Sequence, residues 1–164
     1  VVEEELEEEK EVNILVTPVE GKVIDLSKVN DELFASKTLG DGVAIIPTNG
    51  NLYAPCDSEV VMLFETKHAI GLRTKNGAEI LIHIGINTVS MNGDGFKTFV
   101  KTGDNVKEGD LLIQFDLDKI SHANLDSTVM IVNNNGADYA YKVLNQSYGN
   151  VKKGSILFDV KGGI

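Results

Sequence analysis

The stretch EILIHIGINTV, residues 79–89, decides how this chain is read. At period 2, Ile80, Ile82, Ile84 and Ile86 fall on one face, and Leu81, His83, Gly85 and Asn87 on the other. Four β-branched side chains at that spacing predict a strand with a core face, because successive Cβ atoms alternate across a pleated backbone. His83 then points away from the core, between a leucine and a glycine.

Upstream, LFETKHAIGLRTKNGA (residues 63–78) supplies the partner strand. Asn76-Gly77 is a favoured central pair of a type I′ hairpin turn, since both positions need φ > 0. A two-residue loop there sets Arg73 opposite Ile80, Leu72 opposite Leu81, Ile70 opposite His83 and His68 opposite Gly85. His68 and His83 become diagonal neighbours on one face, with Cα atoms roughly 7–8 Å apart. Thr66 and Phe64 continue His68's face at period 2. A slip of one residue in register would send the two histidines to opposite faces.

Further out, sixteen glycines punctuate short apolar runs. Turn signals such as Gly40-Asp41-Gly42, Asn49-Gly50 and Gly93-Asp94-Gly95 recur between them. Strands are expected at 12–16, 21–25, 42–47, 51–54, 59–65, 68–74, 79–86, 96–99, 111–116, 129–132 and 156–160. Short helical turns are expected within 30–36, 117–124 and 138–144. This pattern predicts an all-β fold, an antiparallel β-sandwich or barrel-like single domain with few short helical turns. A weak repeat, GDNVKEGDLL (103–112) and GNVKKGSIL (149–157), reads as two equivalent strand-entry turns.

The 164 residues suit one domain with a real core. No apolar run reaches the roughly 20 residues of a membrane-spanning helix, so no direct membrane insertion is expected. The start does not read as a signal peptide. One cysteine excludes an internal disulfide and a cysteine-rich metal site, and fits a cytoplasmic setting. Residues 1–11, VVEEELEEEKE, hold seven of the 25 acids and one of the 15 bases. They read as an acidic arm or linker remnant ahead of a β domain over 12–164. Such an arm repels nucleic acid and anionic lipid, so no nucleic-acid partner is expected.

Several chemistries are not signalled. There is no G-x-S-x-G elbow and no P-loop. Cys56, in LYAPCDSEV, has no neighbouring histidine or base and reads as structural. His122, in DKISHANLDS, reads as a surface residue. Two histidines are too few to hold zinc without further ligands. What remains is nucleophilic use of a neutral imidazole, which can attack phosphorus near pH 7. A second histidine can donate hydrogen bonds to the phosphoryl oxygens, and a threonine hydroxyl can fix its tautomer. Positioning and electrostatics carry most of phosphoryl transfer, so a small protein without a metal can perform it. Two other readings stand beside this one. One is a covalent cofactor carrier of the biotinyl or lipoyl kind, suggested by the G-D-x-V-x-x-G-D-x-L pattern but lacking the tip lysine in its usual setting. The other is a non-catalytic β-sandwich interaction domain.

The run FETKHAIGLRTKNGAEILIHIGINTV resembles the signature region of the glucose-type enzyme IIA domain of the bacterial sugar phosphotransferase system. The resemblance continues through NGDGFKTFVKTGDNVKEGDLLIQFDLDKI and includes PVEGKVIDL, VNDELFASKTLGDGVAIIPTNG and LYAPCDSEV. It implies an antiparallel β-sandwich and a phosphohistidine intermediate, with no cofactor required. It implies that His83 is phosphorylated at Nε2, that His68 steadies the phosphoryl group and that Thr66 bonds to His68. The implied donor is the histidine-containing phosphocarrier protein, and the acceptor a cysteine of the IIB domain of a sugar permease. The implied docking face takes Asp31, Leu33, Phe34 and Leu39 from one segment, with Phe64, Leu81 and Val89. Some members bind zinc through the two histidines and a partner's carboxylate. The family's usual G-I-D-T-V stands here as Gly85-Ile86-Asn87-Thr88-Val89, which alters charge at a partner-facing position, Asn87. A further family carboxylate aligns with Asp138.

Overall fold

The computed structural model describes residues 12–135 and 141–162. The acidic segment 1–11 and Asp138 lie outside them. The described strands are β1 (Val12–Val16), β2 (Gly21–Asp25), β3 (Asp41–Pro47), β4 (Asn51–Tyr53), β5 (Ser58–Leu63), β6 (Ala69–Arg73), β7 (Glu79–Ile86), β8 (Phe96–Thr98), β9 (Asn105–Val106), β10 (Leu111–Phe115), β11 (Asp126–Asn133), β12 (Lys142–Leu144), β13 (Gly149–Val151) and β14 (Ile156–Lys161). Two short helices, α1 (Glu32–Ala35) and α2 (Leu117–His122), accompany 3-10 turns at Leu26–Lys28 and Thr88–Met91. The all-β expectation holds. The stretch expected to be helical at 138–144 instead carries β12 in its described part, where Lys142 and Leu144 pair with Lys161 and Asp159. The strands β9 and β13 carry too few residues to show a period, and the sequence reading passes over both.

All strand pairs are antiparallel. They form an eight-stranded sheet in the order β13-β2-β3-β11-β7-β6-β5-β9 and two three-stranded sheets, β1-β14-β12 and β4-β10-β8. One face of the large sheet meets the main core, where Val43, Ile45, Ile80, Ile82, Ile84, Val129 and Ile131 are buried. Each such side chain contributes about 1.5–3 kcal/mol by leaving water. The opposite face carries a second, smaller core. There Leu26, Val29 and Phe34 cover Ala44, Ile86, Met130 and Val132.

The repeat marks matching sheet edges. β9 pairs with β5 at one end of the large sheet and β13 with β2 at the other. Its bonds are also matched: Lys153 N donates to Glu20 Oε2 and Glu108 N to Asp57 Oδ1, each at 2.9 Å. Likewise Thr17 N donates to Ser155 O and Ala54 N to Asp110 O, each at 2.8 Å. These short strands cap edges that would otherwise present unpaired backbone.

Two expectations about the central hairpin need correction. First, the turn is not a two-residue loop. Gly77 N donates to Thr74 O at 3.0 Å, Thr74 N to Ala78 O at 2.9 Å, and Gly77 has φ +89° while Asn76 is not left-handed. This is a three-residue loop, a β-turn followed by a left-handed glycine. The register moves by one residue: Ala69 faces His83, Ile70 faces Ile82 and Gly71 faces Leu81. The cause is a polar clamp drawn from distant sequence. Asn135 Nδ2 donates to Gly77 O at 2.8 Å, and Asn135 Oδ1 accepts from Glu79 N at 3.0 Å. Asn76 Oδ1 accepts from Asn13 Nδ2 and from Thr74 Oγ1.

Second, Ile86 does not share the face of Ile80, Ile82 and Ile84. It packs in the smaller core with Phe34 and Met130. Gly85, at φ +77°, interrupts the alternation. Opposite it, β11 carries an extra residue between the pairs Asp126–Ile86 and Val129–Ile84. Bulges of this kind bend a strand and re-aim its side chains.

Candidate functional site

With the register shifted by one, regular alternation would separate the two histidines. The structure nevertheless brings them together, with ring centroids 4.8 Å apart and planes at 81°. His68 achieves this because it is not in a strand. β6 starts at Ala69, and the chain turns sharply through 64–67, with Lys67 N donating to Phe64 O at 2.8 Å and Lys67 at φ +63°. Thr66 is therefore a turn residue and not a strand residue at period 2. Its hydroxyl still lies 2.7 Å from His68 Nδ1.

His83 sits in the middle of the large sheet, directly between Ala69 on β6 and Met130 on β11. Its Nδ1 lies 2.8 Å from the Gly85 carbonyl oxygen. A carbonyl can only accept, so Nδ1 carries the hydrogen and the lone pair of the neutral ring is on Nε2. The Nε2 atoms of both histidines have no hydrogen-bond partner among the described residues. Yet no buried side-chain nitrogen or oxygen there lacks one. Both Nε2 atoms therefore open to solvent, although His68 as a whole is only 3% exposed.

Aromatic rings wall the pair. Phe34 lies 5.2 Å from His83 and Phe64 lies 5.4 Å from His68, centroid to centroid. Phe34 is buried beneath His83 and does not project from the rim. It is seated by Asp31, whose Oδ1 caps α1 by accepting from Leu33 N at 3.0 Å and Phe34 N at 3.4 Å. Leu33, Phe64 and Val89 are exposed apolar side chains. Leu39 and Leu81 are half-buried against the smaller core. Asn87 is exposed and left-handed at φ +61°, a conformation that asparagine tolerates. The sequence reading missed Met62, which is 54% exposed and pairs with Gly71 in the row that includes Leu81. Period 2 also groups it with the buried Val60, and a bulge between Val60 and Met62 separates the two. Cys56 and His122 behave as expected: Cys56 is buried, and burial pushes its thiol up to about 11, while His122 is exposed on α2.

Burial pushes the His68 pKa down to about 4, and His83 beside it acts in the same direction. Burial also lowers the His83 pKa, opposed by the Gly85 carbonyl and the Asp31 charge. Both rings are neutral at pH 7. An unfolded chain binds a proton at His68 near 6.5, the folded one near 4. Between these values the unfolded state holds more protons, so stability falls as pH drops through 6.5 and the loss is complete below 4. Thermal midpoints measured from pH 7 to 4 should therefore fall more steeply for the wild type than for His68→Gln. Parallel profiles would show that His68 is not the buried neutral group described.

Two imidazoles each keeping Nε2 open, each oriented through Nδ1, have the chemistry for one ring to act as a nucleophile and its neighbour to bond what that ring receives. Among the described residues no group of three or more His, Cys, Asp or Glu is placed to hold a metal ion. The two Nε2 atoms fit a metal only as a partial set.

Comparison with known proteins gives two findings. The family described as phosphoenolpyruvate-dependent sugar phosphotransferase system, EIIA 1, matches residues 13–139. Among solved structures, the glucose permease IIA from Mycoplasma capricolum is similar at 37% identity and a TM-score of 0.84, covering 90% of this chain and 95% of that one.

Proposed function

The chain belongs to the glucose-type EIIA family of the phosphoenolpyruvate-dependent sugar phosphotransferase system, and from that premise we propose that His83 Nε2 is the atom that carries its phosphoryl group. The observation that carries this reading is the hydrogen bond from His83 Nδ1 to the Gly85 carbonyl, which leaves the Nε2 lone pair open to solvent. The donor is the histidine-containing phosphocarrier protein in its phosphorylated form. His83 Nε2 attacks phosphorus; the new N–P bond forms as the donor's N–P bond breaks, and that electron pair returns to the donor imidazole. In the second step a cysteine thiolate of a IIB domain attacks. The S–P bond forms, the N–P bond to His83 breaks, and the pair returns to Nε2.

The chain's residues supply position and charge stabilisation. The Thr66 hydroxyl lies 2.7 Å from His68 Nδ1; in the tautomer that serves transfer the hydroxyl donates, and His68 Nε2 carries a hydrogen aimed at the phosphoryl oxygens. Phe34 and Phe64 hold the two rings in place, and Leu33, Phe64, Leu81 and Val89 exclude water when a partner docks. Asp31 and Asn87 flank this apolar surface and set its charge toward partners. A zinc ion at the site would take His68, His83 and a carboxylate from a partner protein, bridging the two chains. No helix among the described residues is long and apolar enough to cross a membrane. Association with the membrane runs through the permease that bears the IIB domain.

Mixing the protein with phosphorylated donor should give a ³¹P resonance of an acid-labile, base-stable phosphohistidine. In His68→Gln the label should still arrive, because the nucleophile is intact. Onward transfer to the IIB cysteine should fall about 100-fold or more, since an amide cannot share a proton with the phosphoryl oxygens as charge builds. Onward transfer at the wild-type rate would remove His68 from the mechanism.

A further inference from the structure

The pairing of β6 with β7 leaves a geometric problem that one residue solves. Extending the register from Ala69–His83 sets His68 opposite Ile84, and the backbone obeys, with Ile84 N donating to His68 O at 2.7 Å. Ile84 points into the main core. A residue opposite it in a regular strand would do the same, yet the His68 ring stands against His83 on the other face. The residue just before His68 is left-handed. Six non-glycine residues among those described have positive φ, and four of them are asparagines, which adopt it readily. Of the two lysines, Lys37 ends α1, where left-handed caps are common. Lys67 ends no helix. Its conformation is imposed by a closed turn, in which Lys67 N donates to Phe64 O at 2.8 Å and Phe64 N to Ala69 O at 3.1 Å. Its methylenes lie over Gly93: a Cβ placed there would stand 3.9 Å from Lys67 Cδ and 3.7 Å from Thr66 O.

We infer that Lys67 is a positioning residue that acts through its backbone: its left-handed conformation turns His68 off the core face and sets it against both Thr66 and His83. The ammonium group is not required. The part played by this device in transfer rests on the function proposed above; the geometric part does not.

The test uses the full chain labelled with ¹⁵N at histidine, in Lys67→Gly, Lys67→Asn and Lys67→Val variants. Glycine and asparagine enter the left-handed region readily, whereas a β-branched side chain resists it. Imidazole nitrogen shifts report the His68 tautomer and its titration without any partner protein. Lys67→Gly and Lys67→Asn should keep the wild-type His68 tautomer, its low titration point and the wild-type rate of onward transfer. Lys67→Val should lose the tautomer preference and raise the titration point, with onward transfer down about 100-fold from misplacement of the ring, while His83 keeps its hydrogen on Nδ1. If Lys67→Val does not fold, Lys67→Ala is judged by the same shifts, with a smaller change in the same direction. Loss of the His68 signature in Lys67→Gly or Lys67→Asn would assign the role to the lysine side chain and overturn the inference. So would a wild-type signature in Lys67→Val, or in Lys67→Ala if that replaces it. Expected shifts in a protein that takes no phosphate would instead sink the proposed function and leave the positioning role standing.

Discussion

His83→Gln should yield a folded protein that takes no phosphoryl group. The side chain lies half-buried between Ala69 and Met130, and glutamine fills similar space with polar atoms that can still reach the Gly85 carbonyl. The change in stability should stay within about 1 kcal/mol, as for most substitutions that neither empty a core nor strand a charge. Chemistry is another matter. An amide nitrogen shares its lone pair with its carbonyl and is no nucleophile toward phosphorus. Removal of a nucleophile costs about 10⁴-fold or more, which in a transfer assay means no detectable product. The chain offers only two other histidines. His68 has a solvent-open Nε2 but is 3% exposed as a whole residue, and His122 is on α2. Intact mass and ³¹P spectra of the variant, treated with phosphorylated donor, decide the matter. A phosphohistidine of wild-type yield in His83→Gln would transfer the acceptor role to one of those two.

Gly85→Ala should be the most damaging single methyl in the site. The backbone there is left-handed at φ +77°, which costs an alanine about 1–2 kcal/mol. Space is lacking as well. A Cβ would stand 2.4 Å from Thr88 Cγ2 and 2.8 Å from Asp126 O. Thr88 cannot simply rotate away, because it is fully buried and its hydroxyl donates to Ile84 O. Asp126 O is backbone in the bulged part of β11. Overpacking of this kind adds about 1–3 kcal/mol, for a total loss of about 2–5 kcal/mol. The midpoint of thermal unfolding should drop by about 10 °C for a chain of this size. The functional loss should exceed the structural one, because any relief of the clash moves the carbonyl that holds His83 Nδ1. Histidine ¹⁵N shifts should then show His83 sampling both tautomers. A variant with an unchanged midpoint and an unchanged His83 tautomer would refute this account of Gly85.

How far the site could be read in advance differs from residue to residue. His83 was legible, because it stands inside a run whose alternation is regular from Ile80 to Ile84. Its tautomer was not, because the carbonyl that fixes it depends on the backbone sign at Gly85. The adjacency of His68 to His83 was expected from a two-residue turn that does not form. It arises instead from a three-residue turn and a left-handed Lys67, whose effects on parity cancel. Thr66 reached its expected partner from a turn. Phe34 was expected at the rim with Leu33, but α1 has too few residues for helical periodicity to show which side faces the sheet. Met62 was missed because period 2 also groups it with the buried Val60, from which a bulge separates it.

The sequence by itself determined the fold class, the core face of Ile80, Ile82 and Ile84, and the family signature around both histidines. These depend on side-chain period and residue type, which are local properties. Tertiary structure decided the hairpin register, the crossing of Ile86 and the meeting of the two imidazoles. Each depends on the sign of φ at one residue, Gly77, Gly85 or Lys67, and that sign is set by turn closure and cross-strand contacts that side-chain period does not encode. Asn135 holds Gly77, the β11 bulge faces Gly85, and the closed turn from Phe64 to Ala69 holds Lys67, with Gly93 packed beside it.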